Sequence, residues 1–204
     1  MPRKRLRSCR RQRPAAAWAR DRQGRHPRPF DQRGRTLGVR LDGPAAAPHR
    51  PYHATTELFA ALGVGESRLP VDLYDNGPHY VFVELGSPQE VSALRPNMRR
   101  LAALGSTAFS VFARSGGHWG TRVFAPGAGP PEDPATGAAA GPHAVYLARY
   151  GHVPFGDTIV IEQGAEIGRP STLHACAFGS AERLERVEVG GSAVVVARGD
   201  FQFA

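Results

Sequence analysis

One run of small residues constrains this chain more than any other feature. It reads GAAAGPHAVYLARYG, residues 137–151, and it is a helical stretch set among runs that read as strands. Ala139, Val145, Leu147 and Tyr150 give it partly helical spacing. Directly ahead stands GPPEDPAT, residues 129–136. Asp133 is an N-cap type of residue, Pro134 suits a first helical turn, and acids suit the positive end of a helix dipole. Gly151 is placed to stop the helix. The spacing therefore predicts a tight loop opening a helix from about Pro134 to Tyr150, roughly four turns long.

Small residues at the mouth of such a helix let another backbone, or a ligand, come close. Backbone N–H groups left free there suit a carboxylate or a phosphate. The plain alternative is a capped core helix. That reading accounts for Asp133 and Pro134, but less well for Gly137 and the four alanines around it.

The rest of the chain supplies strands. FDQRGRTLGVRLDG alternates about Arg33-Gly34 as a hairpin, and residues 43–54 read as a linker. TTELFAALGVG is a short helix, capped by Thr55 or Thr56 and stopped at Gly63. LPVDLYDNGPHYVFVELG gives two strands about Asp75-Asn76-Gly77-Pro78. A helix starts at Ser87-Pro88, ends at Gly105 and breaks at Pro96. TAFSVFAR and HWGTRVFAPG pair as strands. After the small-residue helix come DTIVIEQG, STLHACAFG, LERVEVGG and SAVVVARGDFQF, four more strand-like runs. The class this predicts is α+β, with a mostly antiparallel sheet around one helix.

Charge divides the chain. Residues 1–50 hold 15 Lys or Arg against 3 Asp, whereas residues 51–204 hold 11 Arg against 15 acids. The net charge of +8 thus lives in one basic segment. Such a segment attracts phosphates, but it carries no helix-turn-helix or zinc pattern and no aromatic interleaving beyond Trp18. We expect residues 1–27 to be a solvated tail with few long-range contacts, and nucleic acid not to be a partner. No run of 18 apolar residues predicts a membrane span, and no apolar core of a secretory signal follows the first basic residues. Cys9 and Cys176 make neither a metal spacing nor a disulfide framework, which points to a reducing, cytoplasmic setting. Cys176 reads as a small buried apolar residue.

Four stretches carry a resemblance: DNGPHYVFVEL, RVFAPGAGPPEDPATGAAAG, IEQGAEIGRPS and VEVGGSAVVVARG. In this order and spacing they resemble the PhzF-like family of phenazine-biosynthesis isomerases, which is related to diaminopimelate epimerase. The likeness covers about residues 52–204. It implies two similar halves, each a sheet wrapped round a central helix, with the active site in the cleft between them. Residues 51–204 would be the second half, complete, and residues 1–50 a partial, altered first half. The resemblance implies an isomerase or epimerase that moves a proton within a small carboxylate substrate, with neither cofactor nor metal, in a homodimer. Asp133 would be the catalytic acid, and Gly137 and Ala138 backbone donors to the substrate's carboxylate. Arg169, in the block GRPS, would meet the anionic substrate or Asp133, with a structural salt bridge or turn as the alternative.

Three departures bear on activity. Ala138 stands where family members usually carry a serine, so one hydroxyl donor is lost. No residue of this sequence matches the family glutamate that acts as the main acid/base. Cys9 aligns with the cysteine of a C-G-H-A-T block, yet Arg10 and Arg11 stand on the Gly and His. A mistaken start or a shifted reading frame upstream would explain that substitution. The resulting expectation is a feeble isomerase, with a non-catalytic remnant of the fold as the rival reading and a basic-tailed nucleic-acid binder as a more distant one.

Overall fold

The computed structural model describes the backbone of residues 36–39 and the whole of residues 49–192. The expectations for residues 1–27, for the turn at Arg33-Gly34 and for all of the run SAVVVARGDFQF after Ser192 lie outside those residues.

In chain order the elements are β1 (Thr36–Val39), β2 (His49–Pro51), α1 (Thr55–Leu62), β3 (Asp72–Asp75), β4 (His79–Glu84), α2 (Pro88–Ala93), α3 (Met98–Ala103), β5 (Thr107–Ser115), β6 (His118–Phe124), β7 (Glu132–Asp133), α4 (Gly137–Arg149), β8 (Thr158–Gln163), β9 (Ser171–Gly179) and β10 (Leu184–Ser192). The strands join one sheet in the order β1-β10-β9-β8-β6-β5-β4-β3-β2, with β7 added beside β6. Only β4–β5 and β6–β8 run parallel among the described pairings. Both of these connections contain helices, α2 and α3 in the first and α4 in the second, as a parallel crossover requires. The class is α+β and mostly antiparallel, as expected.

The two faces of the sheet are covered differently. Tyr80 and Phe82 of β4, with Ala108 and Phe112 of β5, pack into the cluster that contains α4. Their alternate neighbours Val81, Val83, Phe109 and Val111 pack with Leu58 and Leu62 of α1, Val91 of α2 and Leu101 of α3. Covered on both sides, β4 and β5 read as nearly continuous apolar runs. β8 instead alternates, with Ile159, Ile161 and Gln163 buried.

α4 touches β10 and β9 on one side and β8 and β4 on the other. In the sheet order β10 and β4 lie five strand spacings apart, about 24 Å in a flat sheet. A helix about 10 Å across reaches both only if the sheet curls round it. The small residues permit the close approach: a Cβ on Gly141 would lie 2.9 Å from Cγ1 of Val187 on β10. Every residue of α4 from Ala139 to Ala148 is buried, which makes it the most buried of the described helices.

Most expected boundaries hold. Ser87 caps α2, its hydroxyl accepting from the Glu90 N–H, and Pro96 separates α2 from α3, which Asn97 caps. The Asp75–Pro78 turn joins β3 to β4. Gly151, at φ 75°, follows the end of α4.

Three expectations are corrected. α4 begins at Gly137 with Thr136 in the cap position, three residues later than Asp133 and Pro134 suggested. The reason is sheet pairing: Glu132 and Asp133 align with Phe124 and Val123 of β6, which holds their backbone extended. α1 has Ala54 in the cap position, and Thr55 is already helical. Residues 49–51, expected within a linker, form an edge strand on β3, where Pro51 is tolerated.

Candidate active site

The loop between β7 and α4 is held by its own polar groups and by one buried amide. Asp133 accepts at Oδ2 from the Thr136 hydroxyl (2.9 Å) and at Oδ1 from the Ala135 N–H (3.3 Å). Gln163, at the end of β8, donates from Nε2 to the Asp133 carbonyl (2.6 Å) and to Thr136 Oγ1 (2.9 Å), and accepts at Oε1 from the Thr136 N–H (3.3 Å). Gln163 is 3% exposed, so these bonds face little competition from water. Gly164 follows at φ 85°, and a Cβ there would lie 2.7 Å from the Pro134 carbonyl oxygen. Only glycine lets the loop pack this closely.

Glu132 fixes the loop from behind. It forms a two-pronged ion pair with Arg122 of β6, Nε–Oε1 2.9 Å and Nη2–Oε2 2.8 Å. The side chains are 7% and 9% exposed. Nη1 of Arg122 donates onward to the carbonyls of Leu94 (2.9 Å) and Val91 (3.3 Å) at the end of α2. The guanidinium therefore ties together β6, β7 and α2.

Pro142 explains a further link. Lacking an N–H, it leaves the carbonyl four residues earlier without a helical donor. That carbonyl belongs to Ala138, and it accepts instead from Nδ2 of Asn76 (3.1 Å) in the β3–β4 turn. Tyr80, on the next strand, lies within reach of the Asp133 charge; burial first and that charge second push its phenol up.

At the mouth, the N–H groups of Ala139 and Ala140 both turn to the Thr136 carbonyl. Those of Gly137 and Ala138 make no hydrogen bond among the described residues. An open cleft of about 650 Å³ lies here, bounded by Ala135 and Gly137, by residues 170–173 and by residues 189–192. Gly137 thus lies on the cleft wall, whereas Asp133, in the loop just ahead, and Ala138, in the first turn of α4, are not among the residues that bound the cleft. Arg169 sits exposed on the neighbouring turn, its N–H bonded to the Gly164 carbonyl (2.8 Å), and no ion pair joins it to Asp133 among the described residues.

Reasoning from sequence passed over Asn76 and Arg122, and reached Gln163 only as part of the block IEQGAEIGRPS. Gln163 announces itself as the one polar residue in the buried phase of β8, and Asn76 as the partner that a mid-helix proline demands. Arg122 carried no signal. Cys176 is buried on β9 with its thiol pushed up to about 12, by burial and then by the Glu188 charge. It is no nucleophile. No group of His, Cys, Asp or Glu placed to hold a metal ion occurs among the described residues. None of their helices is long and apolar enough to cross a membrane.

Comparison with known proteins follows the same lines. Residues 6–199 match the family described as phenazine biosynthesis-like protein. The chain is 44% identical over 168 residues to a trans-2,3-dihydro-3-hydroxyanthranilate isomerase of Pseudomonas fluorescens, covering 82% of this chain and 60% of that protein. It is 49% identical over 143 residues to the Pseudomonas chlororaphis protein of the same name, covering 70% and 51%. The chain therefore spans about half to three-fifths of these relatives' length. Among solved structures, a PhzF-family phenazine biosynthesis protein of Bacillus anthracis superposes with a TM-score of 0.65 at 21% identity, over 79% of this chain and 59% of that one. One from Enterococcus faecalis does so with a TM-score of 0.55 at 21% identity, over 86% and 60%. The curled sheet round α4 is the epimerase-like fold of those structures, and the chain belongs to the phenazine biosynthesis-like, PhzF family.

Proposed function

We propose that this chain carries half of an isomerase site that shifts a proton between carbons of a small cyclic or acyclic carboxylate, and that Asp133 handles the proton. The observation that carries this reading is the junction at the cleft. There Gly137 lines the cleft wall, its N–H and that of Ala138 make no hydrogen bond among the described residues, and the Asp133 carboxylate is held by its own loop just ahead of the mouth of α4. Those N–H groups suit the substrate's carboxylate and stabilise charge that develops beside it. Arg169, free to swing on its exposed turn, is the cation that closes over the anion. The names of the Pseudomonas relatives support a dihydro-hydroxyanthranilate-type substrate. The reaction needs positioned acid/base groups and no redox change, so no cofactor enters the proposal. A homodimer and a cytoplasmic setting go with it.

A positioned acid/base is worth about 10²–10⁴ in rate. Residues 1–204 hold Asp133 but no match to the family glutamate, and Arg10 and Arg11 stand on the Gly and His of the family block. Slow turnover by this chain alone is the result we expect. The test is solvent deuterium incorporation into the dihydro-hydroxyanthranilate, comparing this chain with one bearing a relative's intact first half. Incorporation should rise by about two orders of magnitude or more with the intact half. Equal incorporation by both would overturn the assignment of roles, and none by either would favour the rival reading, a fold kept without catalysis.

A further inference from the structure

Beneath the Asp133 loop, on the α4 side of the sheet, the core contains an unexpectedly polar spot. Ser110 of β5, Thr121 of β6 and His143 of α4 are buried, at 1%, 4% and 1% exposure. Ser110 Oγ, Thr121 Oγ1 and His143 Nε2 have no hydrogen-bond partner among the described residues. All three residues line the same small pocket, together with Gln163 and Thr136, with about 10 Å³ open to the centre of a water-sized sphere. That is room for a water and not for a substrate.

The strand register explains why these groups do not satisfy one another. Ser110 is opposite Val123, and Thr121 is opposite Phe112, so the two hydroxyl residues are diagonal neighbours. Diagonal side chains start about 7 Å apart, too far for a direct bond between such short hydroxyls and suited to one bridging atom. His143 faces them from a packed slot between Phe82, Phe112 and Trp119. Its ring is kept neutral by burial, with a pKa lowered to about 3. Three unpaired buried polar atoms would consume a sizeable share of a domain's whole stability. A water with three partners removes that burden.

We propose that this pocket is a binding site for one structural water, held by Ser110 Oγ, Thr121 Oγ1 and His143 Nε2, and that it serves as the floor of the Asp133 loop. The link to the loop is short. Thr121 is registered against Gln163 on the neighbouring parallel strand, and Gln163 holds both Asp133 and Thr136. Ser110, Thr121 and His143 are therefore positioning residues, acting on the loop through the water and Gln163. The inference concerns the support of the loop and holds whether or not the chain is an active isomerase.

The test has two arms on the full chain. A crystal structure that shows ordered solvent should contain one water bonded to all three atoms; a dry pocket, or hydroxyls rotated onto one another, overturns the proposal. In solution, Thr121→Val keeps the shape and deletes a partner of the water. Its Thr136 amide should exchange about tenfold faster than in the parent, while amides of α1 and α3 are unchanged. Thr121→Ser, which restores the hydroxyl, should return the rate to normal. Equal Thr136 exchange in parent and Thr121→Val sinks the link to the loop, and a rate that Thr121→Ser does not restore attributes the change to packing instead.

Discussion

The two ends of α4 are secured by opposite means. At its C-terminal end three phenols hold it: the Tyr146 hydroxyl donates to the Pro70 carbonyl (2.8 Å), the Tyr150 hydroxyl to Asp72 Oδ2 (2.6 Å), and Tyr74 accepts from Arg149 (3.3 Å). Tyr74 and Tyr150 also lie edge-on to the Tyr146 ring. At the N-terminal end there is almost no bulk. Glycine and alanine leave room for β10 and for the cleft, and position is kept by an amide, an ion pair and a turn asparagine. Large rings give attraction that is forgiving in direction. Hydrogen bonds give direction at little volume. A helix fastened by the first can present an accurate opening made with the second.

The largest expected effect tests what anchors the open end. Arg122→Ala leaves Glu132 buried and unpaired and removes the tie to α2, at a cost of about 3–5 kcal/mol. Urea unfolding would read it; a loss below about 1 kcal/mol would mean the loop is held elsewhere. Next in size is an acid limb from the middle of the helix. Burial lowers His143 to about 3 from 6.5. Below pH 6.5 the unfolded chain takes up a proton that the folded chain refuses. Stability therefore falls as pH drops from 6.5 towards 3, by up to about 1.4 kcal/mol per unit. The His143 ring resonances should stay flat from pH 8 to about 5, and a normal titration there would contradict its burial.

Tyr150→Phe breaks the closed end alone. Asp72, 4% exposed, loses a donor, and the cost is about 1–3 kcal/mol with the cleft unaltered. The closed end also has an alkaline limb. Burial pushes Tyr74 up to about 12, and Tyr146 and Tyr150 higher still. Above pH 10 the unfolded phenols release protons that the folded ones keep, so stability falls as pH rises, and Tyr150→Phe should reduce the slope. The smallest effect on stability belongs to Asp133→Asn, about 0.5 kcal/mol. It should nevertheless abolish deuterium incorporation in the version with an intact first half. Retained exchange would separate Asp133 from the chemistry.

How much of this was legible in the sequence follows from which forces are local. The Ser87-Pro88 start, the break at Pro96 and the Asp75–Pro78 turn depend on a few neighbouring residues, and they lie where the sequence puts them. The start of α4 was misplaced because Glu132 and Asp133 obey a strand ten residues back rather than their helix-capping preference. His49–Pro51 was read as linker because nothing in three such residues reveals the edge they join. The loop that holds Asp133 and the small-residue helix it opens were legible as one stretch of sequence. The bonds that support it were not, since Arg122, Gln163 and Asn76 meet it only through the sheet.

Pro142 has a consequence for the order of assembly. A helix normally completes its bonding from within, but α4 has one carbonyl whose donor sits 62 residues away, in the β3–β4 turn. The first turns of α4 are therefore incomplete until that hairpin has docked and the curl of the sheet has closed. The last carbonyls of α4 find local donors instead: those of Tyr146, Leu147 and Ala148 accept from the N–H groups of Tyr150, His152 and Gly151. Formation should accordingly run from the phenol end towards the cleft, so that the mouth matures last. A chain whose sheet is still open would then display neither the loop geometry nor the N–H groups at the mouth of α4, so that the cleft is a late product of folding.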